Sequence, residues 1–217
     1  MGHEGLERNN NDMTLFLVIG WTIIFIVVVS YKRFKASRMN QAAENAFWNR
    51  ENAANSTRKQ DISHLNYVQF SDVTLPFALF KDNLLKECEQ QVLALKEKKI
   101  LNLTGISNTD LKLNYGPANL PLLTQYDQNF TLLVRTLNTW GQRLNELGHP
   151  EEAICVLAFA VSIGSDIKAT WQLLAKLYAD SGENEKLKAL KPSAQALNSL
   201  SKTPILNTLD SYLATLP

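Results

Sequence analysis

Glu151 and Glu152 stand side by side directly after Pro150. Two carboxyls can divide acid and base work only where their surroundings push their pKa values apart. Here both fall in the first turn of a helix opened by Pro150, where carboxylates answer the helix dipole. The pair is expected to cap rather than catalyse. Other reactive groups are thinly spread, with histidines only at 3, 64 and 149 and cysteines only at 88 and 155. His64 has no second ligand or base close in sequence, and His149 sits in a turn before Pro150. Cys88 and Cys155 lie 67 residues apart within helical patterns, with no Cys-x-x-Cys spacing, and read as small buried residues of a reducing compartment. No His-Glu-x-x-His, nucleophile elbow, GxGxxG or Walker glycine pattern occurs in the chain. The expectation is a non-enzyme with no catalytic, cofactor or metal residues.

Chemistry of this kind leaves binding and anchoring as the tasks, and charge shows where. The net charge of +1 is unevenly spread over the 217 residues. Residues 1–12 carry a balance of −2, residues 32–59 of +5, and the chain from Gln60 onward of −2. A near-neutral main segment gives no electrostatic reason to propose nucleic acid as a partner.

The basic segment follows residues 13–31, MTLFLVIGWTIIFIVVVSY, a run without a charged residue. As a helix it would reach roughly 28 Å, about the hydrocarbon thickness of a bilayer. A signal peptide would carry a basic leader and a cleavage site, whereas here the leader is acidic and the run ends in Lys32, Arg33 and Lys35. The reading is a retained transmembrane helix with the lipid bilayer as partner. Lys32, Arg33, Lys35 and Arg38 on one flank, against Arg8 on the other, predict a single-pass protein of the cell membrane. Its short N-terminus (1–12) then lies outside and its C-terminal part in the cytoplasm. That orientation leaves the sequons at Asn55, Asn102 and Asn129 unused, and Leu6 breaks the myristoylation pattern.

Residues 32–60 form a stalk, rich in Asn and Ala, that prolongs the membrane helix and frays near Asn55. Phe47 and Trp48 are its exceptions, suited to a partner surface or to packing on the domain. Residues 61–80 are apolar and β-prone, interrupted by Pro76, and are expected as an extended strap laid on helices. Helical periodicity begins at Asp82 and ends near Ile100, with Lys96, Lys98 and Lys99 complementing the helix C-terminus. Gly105, Gly116, Pro117 and Pro121 mark a connecting region with a short helix near 110–113.

A rhythm then appears. An apolar stripe from Tyr126 to Leu147 stops at Gly148, and a second helix follows to Gly164. The next such glycine, Gly182, falls 34 residues after Gly148. With Leu137, Trp140, Gly141, Leu144, Ala153, Leu157 and Ala160, then Trp171, Leu174, Ala175 and Tyr178, the segment 134–190 resembles the tetratricopeptide repeat family. The second repeat departs from the pattern at Leu187, Lys191 and Pro192, the proline being expected to interrupt its helix. Repeats at about 134–167 and 168–200 need caps, supplied by the Asp82 helix with the strap and by the apolar C-terminal segment. The expected fold is all-α: one transmembrane helix and, over 61–217, a small capped helical-repeat domain.

The resemblance implies a peptide or protein partner on the face formed by the first helix of each repeat. Carried over, that face holds Arg135, Asn138, Gln142, Asn145 and Glu146, then Ala169, Gln172, Lys176, Ala179 and Asp180. Its amides suit an extended peptide backbone. The expected function is therefore a membrane-anchored adaptor or scaffold at the cytoplasmic face. The alternative is a structural subunit of a larger membrane complex, assembled through the transmembrane helix and stalk.

Overall fold

The computed structural model describes residues 4–70 and 74–214, and these divide into two compact units at Asn55. The described residues form helices joined by non-helical segments, without a strand longer than one isolated bridge.

The first unit is one helix, α1 (Glu4–Asn55), 52 residues long. From Leu17 onward its apolar stretch is largely exposed: Trp21 is 72% and Phe25 68% accessible. The hydroxyl of Thr22 donates to the Ile19 carbonyl at 2.7 Å, so this polar group is satisfied inside its own helix. Farther along, Phe47 and Trp48 meet edge to face at 5.3 Å and are both exposed.

The second unit carries α2 (Asn83–Lys96), α3 (Asn108–Tyr115), α4 (Leu120–Glu146), α5 (Pro150–Ser162), α6 (Lys168–Asp180), α7 (Asn184–Gln195) and α8 (Lys202–Leu213). Asp82 caps α2 by accepting the Leu85 N–H at 3.0 Å, and Ser107 caps α3 at the N–H of Asp110. The long α4 starts earlier than its apolar stripe suggests, because Pro121 falls in the first turn, where a missing N–H costs nothing. A repeat boundary at Val134 therefore lies inside a continuous helix.

The helices α4, α5 and α6 end in the same way. Gly148, Gly164 and Gly182 have φ of 81°, 86° and 71°, and the next N–H reaches back to Leu144, Ala160 and Tyr178 respectively. This is the Schellman stop, which favours glycine at its left-handed position. Helix α5 packs against α4 so closely that a Cβ on Gly141 would meet Leu157 Cδ2 at 2.5 Å. Trp140 and Trp171 fill the core beside Leu137, Leu144 and Leu174, all fully buried. Helix α8 packs on both α6 and α7 and covers the apolar side they would otherwise expose.

Helix α7 runs through Pro192 to Gln195, correcting the expected interruption. Pro192 and Lys188, whose carbonyl loses its helical partner, are both exposed, so water can take over. Lys191 stands where a large apolar residue was expected and instead meets Asp210 of α8 at 2.7 Å.

The strap is extended and lies on the helices. Tyr67 forms an antiparallel bridge with Leu101, and the Val68 N–H donates to the Ile100 carbonyl at 3.0 Å. Phe70 packs on Phe159, Phe77 on Trp140, and Phe80 stacks on His149 at 3.8 Å. The Ala78 N–H reaches Glu89 Oε2 at 3.1 Å, and the Cys155 thiol donates to the Thr74 carbonyl. A second small core, Leu101, Leu103, Leu111 and Leu123, is closed by Ile62, Leu65 and Tyr67. Buried Asn119 ties it together by donating to the carbonyls of Gln60 and Tyr115.

Candidate functional site

The residues proposed for partner binding lie on α4 and α6. On α4, Arg135, Asn138, Gln142, Asn145 and Glu146 recur at three- and four-residue steps and share one face. On α6, Gln172, Lys176 and Asp180 recur at four-residue steps, all exposed. Ala169 is exposed at the start of α6, and Ala179 is half-buried, packed against the core.

Geometry divides this set. Arg135, Gln172, Lys176 and Asp180 are open to solvent. Asn138 is half-buried and already engaged: its Oδ1 accepts Thr170 Oγ1 at 3.0 Å and Gln142 Nε2 at 3.4 Å. Glu146 is paired with Arg143 at 3.1 Å. Asn138 is thus a joint between α4 and α6, while Gln142 and Glu146 are engaged by partners on their own helix. Asn145 is half-buried.

Arg143 was not in the set, yet it organises this end of the domain. Its guanidinium meets Asp82 at 2.7 Å and Glu146 at 3.1 Å, joining the start of α2 to the end of α4. The Arg143 hydrogen bond, helped by the Leu85 N–H, holds the Asp82 carboxyl below its usual range. Nothing in the sequence announces a pair 61 residues apart. The signal available was Asp82 as an N-cap, which explains only half of its role.

The strap's described ring and hydrogen-bond contacts include Tyr126, Phe159, Cys155, Trp140, His149 and Glu89. Glu151 is exposed and Glu152 half-buried, both in the first turn of α5. His64 lies 3.9 Å from Asp61, with both side chains largely exposed. Among the described residues, no three His, Cys, Asp or Glu side chains gather where they could hold a metal ion. A cleft of 800 Å³ runs between the strap, residues 101–106 and the ends of α5 and α7, away from the α4 and α6 residues named above.

Compared with protein-family models, curated proteins and solved structures, the chain matches none. The exposed quartet offers two cations, one carboxylate and one amide, a surface for hydrogen bonding and charge pairing rather than bond-making chemistry.

Proposed function

We propose that this chain is a single-pass, membrane-anchored adaptor. It would hold a protein or peptide partner at the cytoplasmic face of the cell membrane through a helical domain with tetratricopeptide-like hairpins. The observation that carries this reading is the uncharged stretch of α1, where all the side chains from Leu17 to Tyr31 except Val29 stand exposed. Apolar surface costs about 25 cal/mol for each Å² left in water, and a bilayer removes that cost. The basic residues directly after it support an orientation with residues 32–217 in the cytoplasm. Tethering then raises the effective concentration of any partner already at the membrane. Binding without catalysis fits the scattered His, Cys and carboxylate groups.

A second reading rests on Phe47 and Trp48, an exposed aromatic pair on a helix that is otherwise polar and small in this region. They suit burial in a larger membrane complex, with the chain as a structural subunit.

The test is quantitative co-purification from detergent-solubilised membranes. Wild type is compared with Arg135→Ala, Gln172→Ala, Lys176→Ala and Asp180→Ala combined, and separately with Phe47→Ala and Trp48→Ala combined. Loss of a partner from the folded quadruple variant supports the adaptor. Loss only from the aromatic variant supports the subunit. Recovery of the wild-type chain in the alkaline-soluble fraction instead of the membrane would refute both readings.

A further inference from the structure

A basic groove lies away from the α4 and α6 face. Helix α2 ends at Lys96, and the chain turns so that Lys98 and Lys99 follow beside it. The strap runs alongside, joined by the Tyr67–Leu101 bridge and the Val68 to Ile100 hydrogen bond. Between them is a groove of about 620 Å³, lined by residues 67–70 and by Lys96, Lys98 and Lys99, with no carboxylate among its lining residues. All three lysines are exposed, and none is in an ion pair among the described residues. Lys99 Nζ lies 5.1 Å over the Tyr67 ring. The positive surface continues into the next hollow, where Lys99 is joined by Lys59. That hollow also holds one carboxylate, Asp61, which accepts the N–H and hydroxyl of Ser63 and keeps its negative charge, so the two lysines outnumber it by one.

We propose that this groove binds an extended, acidic segment of a partner protein. Three cations within four residues, against the single exposed carboxylate of Glu97 between them, leave a net +2 on one rim, a positive potential that an anionic chain can neutralise. The other rim is extended backbone with Tyr67 and Phe70 beside it. Such a rim matches the repeat of an incoming strand, whose alternate side chains can point toward the lysines. Concavity selects a peptide over a lipid surface, because headgroups in a bilayer meet a flat or protruding face. The site stands apart from the α4 and α6 residues, so it does not depend on whether that face binds.

The experiment uses the full chain in phosphatidylcholine nanodiscs and a short fluorescein-labelled peptide alternating aspartate and valine. Fluorescence anisotropy is read against wild type and against Lys96→Gln, Lys98→Gln and Lys99→Gln combined. The expected result is binding to wild type, weakened about tenfold in the triple variant and weakened also by added salt. The same peptide with asparagine for aspartate is expected not to bind. The lysine side chains are exposed, and equal thermal melting checks that the variant is folded. Absence of binding to wild type, or equal binding to both chains, overturns the proposal. Capture of phosphatidylglycerol vesicles through the same three lysines, without peptide binding, overturns it in favour of a lipid contact.

Discussion

Thr170 Oγ1 donates to Asn138 Oδ1 at 3.0 Å, joining the first helices of the two hairpins across the face proposed for a partner. Thr170 is fully buried, so its hydroxyl depends on this acceptor. Asn138→Ala is expected to destabilise the domain by about 1 to 2 kcal/mol. Chemical denaturation should show this as a lower midpoint with an unchanged slope. An unchanged midpoint would mean that the joint contributes nothing, returning Asn138 to the list of free binding groups.

Gly141 and Gly148 should both resist alanine, for different physical reasons. A Cβ at Gly141 has nowhere to go, since it meets Leu157 Cγ at 2.6 Å in a fully buried site. Overpacking of about 1 to 3 kcal/mol outweighs the roughly 1 kcal/mol of helix propensity that alanine adds. At Gly148 there is open space, and only φ of 81° is at stake. Gly148→Ala should cost about 1 kcal/mol, and Gly148→Asn less. Thermal melting of the three variants checks the order.

The Asp82 and Arg143 pair has a pH signature. The folded-state carboxyl titrates below its ordinary value of 3.8, so the unfolded chain takes up the proton first as pH falls. Its contribution is complete above the unfolded value and is lost as pH drops through that value to the lower folded one. Asp82→Asn keeps a competent helix cap but removes the charge. The variant should therefore show a flatter fall of stability on acidification, measured by urea midpoints across the acidic range. Parallel curves for the two chains would rule out the linkage.

Thiol reactivity reports on the core. Burial pushes the Cys88 thiol up to about 11, with Glu87 and Glu89 adding to the effect. Burial raises the half-exposed Cys155 as well. Neither should react quickly with a thiol reagent near neutral pH, and Cys88 should react only as the domain unfolds. Rapid labelling of Cys88 in the native chain would contradict the packing of α2 on α4.

Much of this architecture could be read from the residues in order. The stops at Gly148, Gly164 and Gly182 announce themselves because a left-handed helix terminus favours glycine, whatever surrounds it. The uncharged run of α1 is legible for the same kind of reason, since length and polarity are properties of the segment alone. Pro192 misled because its cost depends on whether the lost hydrogen bond faces water, which depends on where α8 lies.

The candidate face shows the same division. Periodicity put Asn138, Gln142 and Glu146 on the exposed side of α4, and solvent would claim them if the helix stood alone. Packing brings Thr170 within reach of Asn138, while Gln142 and Glu146 pair with neighbours on their own helix. Lys96, Lys98 and Lys99 follow the reverse course, from simple helix-end cations to one rim of a groove once residues 67–70 lie beside them. Segment length, helix stops and hydrophobic period are local, and the sequence by itself determined them. Which polar groups are spent on one another and which remain for a partner was decided only by the tertiary structure, because that depends on distances between residues far apart in the chain.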